Sequence, residues 1–158
     1  MIQNKLLKWF DLNKRNLPWR HGRNPYRVWV AEIMLQQTQV KTVIPYFKKW
    51  MKKYPTLKSL RNAEYDKILK MWEGLGYYSR CKNIYSTSQL IKSSFPNKYE
   101  DLRKLPGIGD YTAKAILSIA FNKPYVAIDT NLERIGYRVL GLKSKTNLNQ
   151  NRVIQFLE

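Results

Sequence analysis

Cysteine and histidine are almost missing, with one of each in 158 residues. This excludes a disulfide framework, and it excludes a metal site built from several cysteines or histidines within these residues. No apolar run approaches the roughly 20 residues that a membrane-spanning helix needs. The first residues also lack the long apolar stretch of a signal peptide. We therefore expect a cytoplasmic protein with no metal site in these residues and no membrane partner.

Acidic residues are scarce as well, because 11 Asp and Glu stand against 29 Lys and Arg, giving a formal charge of +18. Such a charge attracts polyanions and raises the rate of encounter with nucleic acid. Hydrophobic residues make up 44% of the chain, which is enough to build the core of one ordinary domain. The composition favours a nucleic-acid-binding protein over a protein that is merely soluble and basic.

Apolar residues recur at helical spacing through nearly the whole chain, and no strand alternation, heptad pattern or internal repeat is present. Asn24 and Pro25 predict the cap and first position of one helix, and Pro45 predicts the start of another. The fold class is therefore predicted to be all-α, built from many short helices. Residues 149–158 are typical of a helix that is beginning, so we expect a truncated chain or a reduced version of something longer.

The most specific motif is Leu-Pro-Gly-Ile-Gly at residues 105–109, which continues into Asp-Tyr-Thr-Ala. Gly107 and Gly109 allow backbone angles and a close approach that other residues forbid. Backbone N–H groups at the start of the next helix then point at a phosphate. A lone Gly-x-Gly is typical of an ordinary turn, but the full motif predicts a helix–hairpin–helix element at about residues 100–121.

Two carboxylates are candidates for chemistry. Glu32 lies in an apolar stretch, where burial raises the pKa of a carboxyl group towards the range of a general acid. The alternative is a glutamate on an exposed face or paired with a lysine. Asp129 precedes a helix and has two open interpretations: it is the N-cap, or Thr130 and Glu133 form a capping box that leaves Asp129 available for another role.

Two polar or aromatic segments are candidates for DNA contact. The apolar stretch that carries Glu32 runs into Gln-Gln-Thr-Gln at residues 36–39. Amide side chains there hydrogen-bond base edges or fill the gap left by an extruded base. Residues 74–80, Gly-Leu-Gly-Tyr-Tyr-Ser-Arg, place two aromatics on a glycine turn, where a ring can wedge between stacked bases. The alternative is a surface turn with core tyrosines.

Together these motifs resemble the MutY-type adenine DNA glycosylases, a branch of the helix–hairpin–helix glycosylase superfamily to which endonuclease III is related. The resemblance runs from about residue 6 to residue 142. It rests on the motifs at residues 17–20, 25–32, 34–40, 43–47, 74–80 and 105–113. It implies a helix–hairpin–helix glycosylase fold, and a monomer at the nucleoid that removes adenine mispaired with 8-oxoguanine or guanine from double-stranded DNA.

The resemblance also implies roles for single residues. Glu32 matches the acid that protonates the leaving adenine, Asp129 matches the aspartate that stabilises the oxocarbenium-like sugar, and Asn131 matches its neighbour. Tyr111 stands where bifunctional relatives carry a Schiff-base lysine, which implies hydrolysis by water without an efficient lyase step. The residues that match substrate or DNA contacts are Trp19, Arg20, Gln37, Thr38, Tyr78, Gly107 and Gly109.

Two parts of the family's chain have no counterpart in this sequence. They are a helical segment whose four cysteines hold a [4Fe-4S] cluster and a C-terminal domain that reads 8-oxoguanine. We expect no cofactor within these residues, and the cluster only if the chain continues beyond residue 158.

The resemblance further implies three regions. Residues 1–16 form an N-terminal helix of the cluster-side lobe, 17–123 form the helical barrel lobe, and 124–158 begin the C-terminal lobe. Two other functions stay open at this point. One is a mismatch glycosylase that removes thymine or uracil, and the other is a catalytically weak DNA-binding remnant.

Overall fold

The computed structural model describes residues 2–157, with side chains from residue 4 onward. Within that range it holds ten α-helices and one 3₁₀ turn. The helices are α1 (Ile2–Asn13), α2 (Pro25–Leu35), α3 (Val40–Lys53), α4 (Leu57–Arg61), α5 (Tyr65–Trp72), α6 (Tyr78–Leu90), α7 (Tyr99–Arg103), α8 (Asp110–Phe121), α9 (Thr130–Val139) and α10 (Asn147–Leu157), and the 3₁₀ turn is Pro18–Arg20. The prediction of an all-α chain of short helices is confirmed.

Helix α2 is the centre of the fold. Its residues Trp29, Val30 and Met34 are fully buried, and α3, α6, α8 and the 3₁₀ turn pack around it. A helix that is apolar on all sides belongs inside a core. Its start is as predicted, because the Asn24 side chain accepts a hydrogen bond from the backbone of residue 27 and Pro25 takes the first position.

Aromatic side chains join α2 to α3 and α5. The Trp50 indole donates to the Tyr26 hydroxyl at 3.1 Å, and that hydroxyl donates to the Tyr54 carbonyl at 2.7 Å. Trp50 also packs edge-on against Trp72, with ring centroids 5.8 Å apart. The polar tips of these buried rings are therefore satisfied while their faces supply apolar area, which fixes the position of α2.

Helix α3 corrects one prediction. It begins at Val40, and Pro45 lies inside it rather than at its start. Proline removes one backbone hydrogen bond and crowds the preceding turn. The cost is offset because Val43, Phe47 and Trp50 are all buried on the inner face of the helix.

The end of the described chain is a pair of helices. Gly136 of α9 lies so close to α10 that an added Cβ would stand 2.6 Å from Val153 Cγ1.

The outer faces of α1 and α9 carry apolar side chains that stay in solvent, such as Leu6 on α1 and Val139 on α9. Among the residues that the structure describes, no helix combines the length and the apolar character required to traverse a bilayer.

Candidate active site

An open cleft of about 1380 Å³ runs along α2, between the 3₁₀ turn and the starts of α8 and α9. It collects side chains that are far apart in sequence. Eight of the residues singled out from the sequence line it: Trp19, Arg20, Glu32, Gln37, Thr38, Tyr111, Asp129 and Asn131. The other three, Tyr78, Gly107 and Gly109, are not among its lining residues.

Glu32 lies on the side of α2 that faces this cleft. The pKa of Glu32 is raised from 4.5 to about 7: burial is the main cause, a hydrogen bond with Tyr111 partly opposes it, and the charge of Asp129 adds to it. A carboxyl group with such a pKa is partly protonated at neutral pH. It can therefore deliver a proton, which the alternative of an exposed or lysine-paired glutamate does not offer.

Tyr111 is the second residue of α8, and its hydroxyl is hydrogen bonded to the Glu32 carboxyl. Burial raises the pKa of Tyr111, and the nearby charges of Glu32 and Asp129 raise it further. The phenol therefore stays protonated and acts as a donor to the carboxylate. Helix α8 holds it in place because Ala113 and Ile116 are buried in the core next to α2.

Asp129 is the N-cap of α9, which decides between the two interpretations left open by the sequence. Its Oδ1 accepts hydrogen bonds from the backbone N–H groups of Asn131 at 3.1 Å and Leu132 at 2.8 Å. Thr130 is already the first helical residue, so the interpretation with Thr130 as the cap is wrong. Asp129 performs both tasks, since it caps the helix and lines the cleft.

Asn131 fixes the second oxygen of this carboxylate. Its side-chain Nδ2 donates to Asp129 Oδ2 at 3.0 Å, while its Oδ1 accepts from Arg134 at 3.0 Å. The contact with Arg134 orients the amide, because only the amide oxygen can accept from a guanidinium. The Asp129 carboxylate is therefore held by three donors in one orientation beside the cleft.

Trp19 and Arg20, both in the 3₁₀ turn, form a further stretch of the cleft wall. Trp19 is buried and packs edge-on against Phe47 with ring centroids 5.4 Å apart. Arg20 is exposed, and its guanidinium lies 5.7 Å from the centre of the Phe10 ring. This wall combines an aromatic surface with a cation, which suits a planar base attached to a phosphodiester.

The glutamine segment is a turn rather than a helix end. Helix α2 stops at Leu35, and Gln37 has a left-handed backbone with φ of +57°. Non-glycine residues adopt this region rarely and at a cost. Gln37 is exposed on the cleft rim beside Thr38, so its amide is available to a ligand.

The two tyrosines of the glycine turn face different surroundings. Tyr78 begins α6 and lies in a separate shallow depression with Asp66, Lys70 and Glu73. Tyr77 is at the turn, with a left-handed φ of +46° and 59% of its surface exposed. The structure thus favours Tyr77 as the wedge over Tyr78, the tyrosine that the family resemblance indicated.

The hairpin glycines behave differently from each other. Gly107 has φ of +75°, and an added Cβ would stand 2.8 Å from Asn83 Cβ on α6, so its predicted special geometry is confirmed. For Gly109 the predicted special backbone angle is wrong, since its φ is −78° and an added Cβ would lie 3.9 Å from the nearest atom, on Arg103. Its close approach to a phosphate stays a prediction. Gly109 is instead the N-cap residue of α8, and no side chain accepts hydrogen bonds from the first amides of that helix.

This difference predicts a contrast in stability within one hairpin. Gly107→Ala should destabilise the fold by about 2–4 kcal/mol, because it adds left-handed strain and an overlap with α6. Gly109→Ala should cost less than about 1 kcal/mol, because its φ of −78° suits alanine but alanine is a poorer N-cap residue than glycine. Urea unfolding of both variants measures the difference, and equal losses would contradict the geometry of Gly107.

A basic rim also escaped notice during the sequence reasoning. Lys14, Arg15 and Arg23 line the cleft together with Arg20. The signal was present as a cluster of cations within ten residues. Their placement puts positive charge around the entrance that leads to Glu32 and Asp129.

Metal ligands are the remaining question. Among the described residues, no three of the His, Cys, Asp and Glu side chains are grouped so as to hold an ion. Cys81 is fully buried in α6, and burial raises the pKa of its thiol to about 12. These residues therefore do not fit a cluster with four cysteine ligands.

Known proteins resemble this chain in sequence. A family model described as HhH-GPD superfamily base excision DNA repair protein matches residues 30–155. The adenine DNA glycosylase of Buchnera aphidicola subsp. Baizongia pistaciae is 43% identical over 157 residues, covering 96% of this chain and 44% of that protein. The human adenine DNA glycosylase is 43% identical over 151 residues, or 87% of this chain and 28% of that protein. The chain thus spans less than half the length of these relatives.

Solved structures agree with the fold. The structure of a thermostable thymine-DNA glycosylase superimposes on this chain with a TM-score of 0.77 at 26% identity. The matched region is 84% of this chain and 63% of the glycosylase chain. A non-covalent endonuclease III–DNA complex superimposes with a TM-score of 0.78 at 22% identity. The matched region is 99% of this chain and 76% of the endonuclease chain. With a family model matching most of its length and a fold shared with these enzymes, the chain belongs to the HhH-GPD superfamily of base excision DNA repair proteins.

Proposed function

We propose that this chain is a DNA N-glycosylase that hydrolyses the bond between adenine and deoxyribose where adenine is mispaired with 8-oxoguanine or guanine. The observation that carries the proposal is the meeting of a protonatable Glu32 with Tyr111 and Asp129 in one cleft. Relatives in the Buchnera and human lineages that share 43% of its residues bear the name adenine DNA glycosylase, which supports adenine as the base.

The chemistry assigns a separate task to each carboxylate. Neutral adenine leaves poorly, so Glu32 gives its proton to a ring nitrogen as the glycosidic bond breaks and the bonding electrons move onto the base. The sugar is left as an oxocarbenium-like cation, which the fixed charge of Asp129 stabilises. Water then adds to the anomeric carbon and loses a proton to a carboxylate. Both carboxylates lie inside the cleft, so the base must first be extruded from the duplex to reach them.

Tyr111 supports hydrolysis rather than lyase chemistry. Its hydroxyl donates to Glu32 and stays protonated, since burial raises its pKa. A phenol forms no Schiff base with the sugar, which an amine would do. We therefore propose a monofunctional glycosylase that leaves an intact strand with an abasic site.

Two alternatives are weaker. A thymine or uracil mismatch glycosylase is suggested by the structural neighbour that acts on thymine, but its identity is 26% against 43% for the adenine enzymes. A catalytically weak DNA-binding remnant would not need to keep four residues of an acid–base site converging on one cleft. The retention of Glu32, Tyr111, Asp129 and Asn131 together favours an enzyme.

A cleavage assay tests the base and its partner. The chain is incubated with duplexes containing 8-oxoguanine·A, G·A, G·T and G·U, followed by alkali to break abasic strands. We expect strand breaks at adenine in the first two duplexes and only after alkali. Breaks at thymine or uracil would favour the mismatch alternative, and no break in any duplex would favour the remnant.

The pH dependence of excision follows from the raised pKa of Glu32. Its acid form is lost as pH rises through about 7. The single-turnover rate should therefore be flat below pH 6 and fall about tenfold per unit well above 7. Tyr111→Phe removes the hydrogen bond that lowers this pKa, so its fall should begin at higher pH. A profile that Tyr111→Phe does not move would contradict the contact.

Duplex binding should depend strongly on salt. Neutralising about five phosphates gives a log–log slope of about −4.5, or roughly 500-fold weaker binding at 200 mM than at 50 mM salt. Arg23→Gln on the basic rim should reduce the slope by about 1. Lys67→Gln is the control, because Lys67 pairs with Glu64 outside the cleft. Fluorescence anisotropy at several salt concentrations gives the slopes, and a slope near zero would remove DNA as the partner.

We propose that the chain acts as a monomer on double-stranded DNA at the nucleoid. An iron–sulfur cluster would have to be held by cysteines other than those present, since the chain has one cysteine.

A further inference from the structure

Arg80 is a buried cation that the proposed chemistry does not use. It lies in α6, and 5% of its surface is exposed. One guanidinium nitrogen donates to the backbone carbonyls of Ile33 at 3.1 Å, Met34 at 2.8 Å and Gln36 at 2.5 Å. These carbonyls close the C-terminal end of α2, where helix carbonyls lack intrahelical partners.

The second terminal guanidinium nitrogen reaches another group of acceptors, while Nε is buried with no hydrogen-bond partner among the described residues. It donates to Thr38 Oγ1 at 3.0 Å, to the Leu75 carbonyl at 3.1 Å and to the Gly76 carbonyl at 3.4 Å. The plane also lies over two rings, with its carbon 5.5 Å from the Trp72 centroid and 5.2 Å from that of Tyr77. A single side chain thus joins the segment after α2 to the glycine turn before α6.

The charge of Arg80 is balanced in an unusual way. Among the ion pairs between described residues, none involves Arg80, and burial lowers the pKa of its guanidinium. A buried charge is costly unless hydrogen bonds satisfy it. Here backbone carbonyls and one hydroxyl take the place of a carboxylate, so the bonds of Arg80 disappear if either segment moves away.

Each of the two joined segments contains one exposed residue with a strained backbone. Gln37 and Tyr77 have left-handed backbones, with φ of +57° and +46°. Asn122 is the only other non-glycine residue with positive φ in the described range, and it ends α8. Strained conformations of this kind persist only where neighbouring contacts enforce them, and Arg80 bonds to the backbone or side chain on either side of Gln37 and stacks on Tyr77.

We propose that Arg80 is a positioning residue that locks the turn at residues 36–38 and the turn at residues 74–77 into one rigid, two-pronged unit that enters the duplex. The proposal rests on the proposed function, because it concerns how the target adenine is made to leave the stack. Arg80 touches neither the base nor the sugar. Its effect is on extrusion, while Glu32 and Asp129 act on the glycosidic bond.

Arginine suits this task better than lysine. Its planar fork presents two nitrogens in fixed directions and stacks on aromatic faces, while a lysine ammonium is a compact charge. Arg80→Lys therefore keeps the charge and loses the bridge between the turns. Thr38→Val is a milder variant, since it removes one acceptor of the bridge and preserves the size of the side chain.

A matched control is available in the same fold. Arg61 also bridges elements through backbone carbonyls, donating to Ile91 at 3.2 Å and Lys92 at 2.8 Å. It joins α4 to the segment after α6 and does not line the cleft. Arg61→Lys thus reports the general cost of losing an arginine–carbonyl bridge.

The test separates extrusion from bond cleavage. A duplex with 2-aminopurine next to the mispaired adenine brightens when that stack is opened, and it is measured at saturating protein. Single-turnover excision is then compared between the mispaired duplex and a duplex that carries the same adenine in a one-nucleotide bulge, where extrusion costs less. Thermal melting by circular dichroism shows which variants are folded.

We expect Arg80→Lys to reduce the increase in 2-aminopurine fluorescence by at least half. Its excision rate should fall about tenfold on the mispaired duplex but less than about threefold on the bulged duplex. Thr38→Val should show a smaller loss in the same pattern, and Arg61→Lys should show none. Equal losses on both substrates, or full brightening with folded Arg80→Lys, would overturn the proposal. If Arg80→Lys does not fold, unchanged brightening with Thr38→Val overturns it.

The brightening also separates this proposal from the proposed function. If the wild-type chain opens the stack but excises no adenine from either substrate, the proposed function fails, and the variants still decide the role of Arg80 from brightening alone. If the wild-type chain does not open the stack, the positioning role itself is wrong.

Discussion

Replacing Glu32 by glutamine should reduce single-turnover excision of adenine by about a thousandfold or more, within the range expected for a lost general acid. Glutamine has nearly the same shape and can still accept a hydrogen bond from Tyr111, but it has no proton to give to the leaving base. Duplex affinity should change little, because the side chain carries no charge in its acid form. Excision with excess enzyme and a binding titration on one duplex measure both quantities. Cleavage within tenfold of wild type would remove the acid role from Glu32.

A measurement of stability against pH separates this loss from unfolding. The folded-state pKa of Glu32 is about 7 against 4.5 for a free side chain. The folded protein therefore keeps a proton that the unfolded chain releases between these values, and wild-type stability falls as pH rises from 4.5 to 7. Glu32→Gln escapes this fall, so near pH 8 it should be more stable by about 2–3 kcal/mol, with little difference near pH 4. Glu100→Gln, the same substitution at an exposed position in α7, is the matched control.

The fold was largely predictable because its helices depend on local patterns. The motif Asn24–Pro25 and the apolar period of α2 determine where that helix begins and that it is buried. Pro45 misled the prediction because the burial of α3 outweighs the local cost of an internal proline. The division of the chain into lobes at residues 17–123 and 124–158 stays a prediction.

The site was predictable in composition and less so in geometry. Residue types and the family resemblance pointed to Glu32 and Asp129, but whether Asp129 or Thr130 caps α9 depends on one backbone turn, which local pattern leaves open. The roles of Gly109 and Tyr77 likewise depend on φ angles that a residue's type does not determine. Arg80 was hidden because its six acceptors lie on two segments that meet only in the folded chain.

Replacing Asp129 by asparagine should also cost about a thousandfold in excision rate, with most of the fold intact. A unit charge about 4 Å from the developing cation is worth about 4 kcal/mol at a partly screened site, which corresponds to about this factor. Asparagine caps helices as well as aspartate does, so the N–H groups of Asn131 and Leu132 keep an acceptor. Asp129→Asn loses one hydrogen bond, the one that Oδ2 accepts from the Asn131 side chain. An amide NH₂ at that position would face the Asn131 amide, which Arg134 holds in place.

Asp129→Ala separates the charge from the cap. It removes both, so it should lose about 1 kcal/mol more stability than Asp129→Asn, in the range typical of N-cap deletions. The two variants should nevertheless excise adenine at similarly low rates if the charge is what matters. Urea unfolding and single-turnover excision of both variants make the comparison. Near-normal excision by Asp129→Asn beside a strong defect in Asp129→Ala would reduce Asp129 to a helix cap, and the oxocarbenium-like sugar would then need another source of stabilisation in the cleft.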